Sequence, residues 1–207
     1  EEKIRLIDRL TAFGLRRIEV SSFVNPGLVP QMADAEELWR RIDRRKDVRY
    51  SALVLSERGL ARAVACGVPH VGVFVSASET HSRKNSNKTI AGALREALAL
   101  IRKAHASGIK VRAGVMNAFG CAYEGKVPVR RVLKLAGQLL DADPEEICLA
   151  DTSGLGNPRQ IRDVISRTRK LTGRKALSLH LHNTKGQGMA NLWTALEEGV
   201  TIFDTSL

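Results

Sequence analysis

Apolar runs of strand length alternate with helical patterns along the whole chain. Short stretches rich in Val, Ile and Leu at 17–22, 49–55, 70–75, 110–116, 146–150, 176–182 and 200–205 predict seven strands buried on both faces. Amphipathic helices are predicted between them. The first covers 2–13, and a second covers 34–44 after a Pro-containing loop. Ser56 caps a third, which ends before Gly67. Thr89 caps a long one with Ile90, Leu94, Ala97, Leu98, Ile101 and Ala104 on one stripe and Gly108 as its stop. The next begins at Pro128 and turns Val129, Val132, Leu133, Ala136, Leu139 and Leu140 inward. Asn157–Pro158 opens another that closes at Gly173, because Asn caps and Pro suits the first helical turn. The last runs near 187–198 and closes at Gly199.

Strict alternation implies an α/β fold with a parallel sheet covered by helices. An open doubly wound sheet and a (β/α)8 TIM barrel both satisfy it. No G-x-G-x-x-G follows the first strand, which weakens the dinucleotide-binding version of the open sheet. Seven strands led by a helix read as a TIM barrel incomplete in this chain, with strands two to eight present. The expectation is a single catalytic domain over 1–207, truncated at both ends.

The composition narrows the class. The chain has 207 residues, 43% of them apolar, enough for one core. It contains no apolar run of membrane-spanning length, and its start, EEKIRLIDRL, is charged and amphipathic rather than a signal peptide. Cys66, Cys121 and Cys148 lack metal-type spacing and read as reduced thiols of a cytoplasmic protein. The formal charge of +11 raises nucleic acid as a partner. However, Lys and Arg are scattered along helices, aromatics are only 4%, and no nucleic-acid motif is present. The expectation is therefore no nucleic acid and no membrane, with a basic surface suited to a polyanionic small ligand such as coenzyme A.

In a barrel the chemistry gathers at the C-terminal ends of the strands. Glu19 alternates with Ile18 and Val20 and is expected to point inward, where a carboxylate must be paired or bound. Asp151 follows its strand and opens the loop DTSGLGNP. Arg112 lies within a strand, and Asn117 lies at that strand's end. His180 and His182 are separated by one residue, so both imidazoles leave the same face. They read either as two ligands of one metal ion or as a hydrogen-bonded pair at a strand end. His81 is placed in a loop on the functional face.

The stretch IEVSSFVNPGLVPQMADAEEL (18–38) closely resembles the 3-hydroxy-3-methylglutaryl-CoA lyase family of metal-dependent TIM-barrel carbon–carbon lyases. The resemblance continues in order through SASETHSRKNSNKTI, FGCAYEGKV, LADTSGLGNP and LHLHNTKGQGMAN. It implies that His180 and His182 ligate Mg2+ or Mn2+, and that Glu19, Asp151 and Arg112 are active-site residues. Lys84 and Asn85, taken as a loop, would lie toward the acyl-CoA, with Asn117 also on the substrate side. It further implies a homodimer. A family Arg-Asp pair would precede Glu1, and a Cys-bearing signature would begin at Ser206–Leu207. The chain departs from the family at Asn183 and Lys185. It also departs at Gly114, where a Tyr is usual and its loss is expected to enlarge the pocket. The implied reaction is retro-Claisen cleavage of a 3-hydroxyacyl-CoA to acetyl-CoA and a keto acid such as acetoacetate. The rival on the same scaffold is a Claisen-condensing synthase of the isopropylmalate or homocitrate type. A non-catalytic basic RNA-binding or scaffold protein is the rival from another class.

Overall fold

A computed structural model describes residues 1–205. Its elements are α1 (Glu2–Ala12), β1 (Arg17–Ser22), a 3-10 turn (Pro30–Met32), α2 (Ala35–Arg41), β2 (Arg49–Leu53), α3 (Glu57–Ala65), β3 (His70–Ser76), α4 (Glu79–Ser86), α5 (Ile90–Ala106), β4 (Lys110–Met116), α6 (Val129–Leu140), β5 (Glu146–Asp151), α7 (Pro158–Thr172), β6 (Ala176–Leu181), α8 (Gly188–Glu197) and β7 (Ile202–Phe203). The strands form one sheet in sequence order, β1 to β7. The registered pairs are parallel, as βα connections require. This is the (β/α)8-barrel fold class with seven of its strands described.

The caps act where the sequence places them. Ser56 accepts from the Gly59 N–H at 3.1 Å, and Thr89 from the Gly92 N–H at 3.0 Å. Asn157 and Gln160 form a reciprocal capping box at the start of α7. On α6, Leu135 is buried together with Val132, Ala136 and Leu139, whereas Leu133 and Leu140 are only half-buried. The sequence missed α4. It is polar all round, so it carries no apolar stripe. Only its ends mark it: Ser78 accepts from the His81 N–H, and Asn87 closes it in the left-handed region at φ 56°.

The chain divides into two compact units, 1–73 with 99–111 and 74–98 with 112 onward. In the first, Ile18, Tyr50, Ala52 and Val71 are buried strand residues, and Phe23, Trp39, Leu60 and Ala63 are buried with them. Arg62 of α3 pairs with Glu36 of α2 and donates to the Val24 carbonyl at 2.9 Å, which holds these helices together. In the second, every residue of β5 is buried, and Val132, Ile161, Val164 and Ile165 supply the helical side of the core. Among the described residues, no helix is long and apolar enough to cross a membrane.

Candidate active site

The second unit brings polar residues of β4, β5, β6 and β7 onto one another. Two registers do this. Ala150 pairs with His180 across β5 and β6, and Leu179 with Phe203 across β6 and β7, so Asp204 falls beside His180. The Asp204 N–H donates to the Leu179 carbonyl at 3.0 Å. Asp204 Oδ2 then lies 2.9 Å from His180 Nδ1 and accepts from Arg112 Nη2 at 2.9 Å. Burial pushes the Asp204 carboxyl up, but His180 and Arg112 together hold it below the usual range.

Beneath this pair is a buried polar cluster. Arg112 Nη2 also donates to Cys148 Sγ at 3.0 Å and Ser178 Oγ at 3.2 Å. Arg112 Nε lies 2.9 Å from Glu146 Oε1 without aiming its N–H there, so that contact is ionic rather than a hydrogen bond. Ser178 Oγ donates to the same Glu146 oxygen at 2.5 Å. Burial works against the charge of Arg112, yet the carboxylates of Asp204 and Glu146 keep its pKa raised and the guanidinium protonated. Burial, against the pull of Arg112, pushes the Cys148 thiol up to about 12, so it is a thiol and not a thiolate.

His180 Nε2 and His182 Nε2 face each other at 3.0 Å. His180 is half-buried and His182 is exposed, one residue beyond the strand. Two neutral imidazole lone pairs would repel at that distance, so either a proton or a cation must lie between them. The histidine pair therefore fits one metal ion. Among the described residues, no group of three or more His, Cys, Asp and Glu side chains converges on such a point.

Asp151 is fully buried at the end of β5. The N–H groups of Leu155 and Gly156 donate to its two oxygens, each at 3.0 Å. A Cβ on Gly156 would lie 2.9 Å from Asp151 Oδ2, so only glycine lets the loop close on the carboxylate. Burial raises the Asp151 pKa against these backbone bonds and the nearby His182. Gly154, at φ +62°, brings its loop onto Thr184, the residue two beyond His182. Asn183 accepts from the Gly188 N–H at 2.8 Å, so the family departure at this position serves to hold the start of α8.

Other candidates differ from the sequence reading. Asn117 is fully buried at φ 56°, with its amide taken by Ser76 and Ser153 and its N–H by Thr152. It ties the loops after β4 and β5 to the end of β3. Lys84 and Asn85 are exposed on helix α4 rather than in a loop, and Lys84 Nζ lies 5.3 Å from the centre of the Tyr123 ring. His81 is on the same helix, half-buried, with its pKa lowered by burial. Gly114 does not open the pocket. A Cβ there would lie 2.2 Å from Phe74 Cε1, so the Phe74 ring already fills that space, 5.7 Å from the Arg112 guanidinium. Glu19, on β1 of the first unit, is exposed rather than buried. The signature expected from Ser206–Leu207 lies outside the described residues.

The sequence reading overlooked Asp204, Glu146, Cys148 and Ser178. A signal for Asp204 was available, since it is a carboxylate at a strand end like Asp151. The other three read as ordinary strand residues, and only the register brings them to Arg112.

Parallel βα units with histidines and carboxylates gathered at the C-terminal strand ends define the class, a (β/α)8-barrel enzyme. The model of the HMGL-like family matches residues 1–207. Hydroxymethylglutaryl-CoA lyase of Bacillus subtilis is 39% identical over 206 residues, covering 100% of this chain and 69% of that protein. The mitochondrial hydroxymethylglutaryl-CoA lyase of Bos taurus is 39% identical over 205 residues, covering 99% of this chain but 63% of its own length. An HMG-CoA lyase of Acinetobacter baumannii, solved with coenzyme A and 3-methylmalate, superposes with a TM-score of 0.95 at 35% identity, over 99% of this chain and 67% of that one. The chain belongs to the HMGL-like family, and these relatives are carbon–carbon lyases. It spans about two thirds of their length.

Proposed function

We propose that the full-length protein is a divalent-metal-dependent lyase that cleaves 3-hydroxy-3-methylglutaryl-CoA, or a close analogue, to acetyl-CoA and a keto acid. The observation that carries this reading is the pair of convergent Nε2 atoms of His180 and His182, 3.0 Å apart, in a chain of this family. These two histidines would hold Mg2+ or Mn2+. When bound, the ion acts as a Lewis acid that lowers the pKa of a substrate hydroxyl and orients it.

The chain's own residues supply the rest. Of the carboxylates implied by the resemblance, Asp151 is the stronger base for the substrate hydroxyl, because burial raises its pKa. Glu19, within β1 and exposed, keeps a secondary role. Arg112 supports the histidine from below rather than meeting the substrate, since Cys148, Ser178, Asp204 and Glu146 surround its guanidinium. Lys84 and Asn85, exposed on α4, offer a cation and an amide to the acyl-CoA. We further propose a homodimer and, because Cys66, Cys121 and Cys148 are free thiols, a cytoplasmic location.

The test is to assay the full-length protein with Mn2+ and 3-hydroxy-3-methylglutaryl-CoA for keto acid release, and with 2-oxo acids and acetyl-CoA for free thiol. Keto acid without condensation supports the lyase. Thiol release with a 2-oxo acid assigns the synthase instead.

A further inference from the structure

We propose that Asp204 is the positioning residue that fixes the tautomer of His180, so that Nε2 is left as the metal-binding lone pair. The inference rests on the reading of His180 and His182 as ligands and adds a residue to it. Its observation is independent of the metal: a single carboxylate oxygen contacts both Arg112 Nη2 and His180 Nδ1, each at 2.9 Å.

Donor and acceptor roles around Asp204 decide the tautomer. Arg112 is a donor only, so it needs an acceptor from Asp204. A carboxylate facing a guanidinium has no proton to offer, so the proton shared with His180 must sit on Nδ1. A neutral His180 then carries its lone pair on Nε2, which is the atom turned toward His182. A carboxylate on the far nitrogen also makes the ring a better ligand, and such partners typically change metal affinity about 10–100-fold.

Arg112 holds Asp204 in place, and Glu146, Cys148 and Ser178 hold Arg112. Glu146 is almost wholly buried, so the anchor is in the sheet interior and not in a loop. β7 is only two residues long, and Asp204 follows it directly. Without the guanidinium, little would keep the carboxylate on the imidazole. The run Glu146–Arg112–Asp204–His180 thus carries positional order from the buried strand β5 out to the half-exposed ring.

A purely structural clamp between β6 and β7 would show the same distances but would not control the tautomer. The test therefore uses full-length, 15N-histidine-labelled protein, first without metal. In the wild type the His180 resonances should show a protonated Nδ1 and an unprotonated Nε2. In Asp204→Ala the ring should move toward the Nε2–H tautomer, which free imidazole side chains favour. Mn2+ affinity, titrated by calorimetry, should fall about 10–100-fold. Asp204→Glu should recover part of both signals, and Asp204→Leu, which likewise offers no acceptor, replaces the alanine variant if that one does not fold. His180→Ala is the control and should abolish tight Mn2+ binding. An unchanged tautomer, with Mn2+ affinity within twofold of wild type in a folded Asp204→Ala or Asp204→Leu variant, overturns the proposal while leaving the histidines as ligands. Unchanged affinity in His180→Ala overturns the metal reading instead, and the metal-free tautomer then decides the role of Asp204 by itself.

Discussion

At the scale of single residues, the site depends on which atoms face each other. His180 and His182 turn Nε2 atoms together at a strand end, one half-buried and one exposed, so neither contributes much to the core. His180→Ala and His182→Ala are each expected to lower Mn2+ affinity of the full-length protein by at least about 100-fold, beyond what an outer partner controls. Stability should change by about 0.5 kcal/mol or less for His182→Ala, as at an ordinary surface position. Calorimetric titration and urea unfolding measure the two effects, and unchanged affinity in either variant would remove the metal assignment. Gly114 behaves oppositely. Its Cβ position is taken by the Phe74 ring, so Gly114→Ala is expected to destabilise by about 1–3 kcal/mol through overpacking. Trimming the ring in Phe74→Leu should relieve most of that loss. A neutral single Gly114→Ala substitution in urea unfolding would mean that the ring moves aside freely.

At the scale of elements, paired groups between helices carry stability that pH can remove. Glu36 on α2 meets Arg62 on α3, and the hydrogen bond from Arg62 outweighs burial to hold the Glu36 pKa below 4.5. The sign follows from linkage. A carboxylate with a lowered folded pKa adds stability above its unfolded value, and that stability is lost as pH falls through the folded value. Glu36→Gln is expected to lower the urea midpoint at pH 7, and the gap from wild type should shrink steadily below about pH 4.5. A gap that stays constant down to pH 3 would show that packing, not charge, sets the difference. The element scale also explains why α4 was not legible. Periodicity reports burial of one face, and α4 buries only Ser82, so its caps were the sole signal.

At the scale of the whole molecule, charge and fold have separate consequences. The excess of 33 basic over 22 acidic residues is large, but many cations are already engaged. Arg41 pairs with Glu1 and Glu37, Arg83 with Glu79, Arg162 with Glu197 and Glu198, and Arg167 with Asp163. Aromatics are only 4% of the chain, and among the described residues Phe13, Tyr123 and Trp193 are the large exposed ones, so stacking positions for a single-strand binder are few. Random single-stranded RNA should therefore give no gel shift at physiological salt. Tight binding with a steep salt slope would return the basic-scaffold reading to contention.

The sequence alone was enough for the order of the strands and of every helix except the polar α4, for the parallel sheet and for the positions of Ser56, Thr89 and Asn157 as caps. These are local matters, set by side-chain periodicity and by which residues satisfy free N–H groups at helix starts. It also placed His180, His182 and Asp151 at strand ends, because the C-terminal edge of a parallel sheet follows from chain direction. The tertiary structure alone decided what those residues touch. Asp204 reaches His180 because β7 pairs with β6 in one register rather than another, and a shift of one residue would turn it to the opposite face. Arg112 becomes a support for the histidine because Glu146, Cys148 and Ser178 come from two further strands. Phe74 occupies the space beside Gly114, which a missing side chain in the sequence suggested was empty. Register and packing join residues far apart in the chain, and neither leaves a mark on the local pattern of apolar and polar positions.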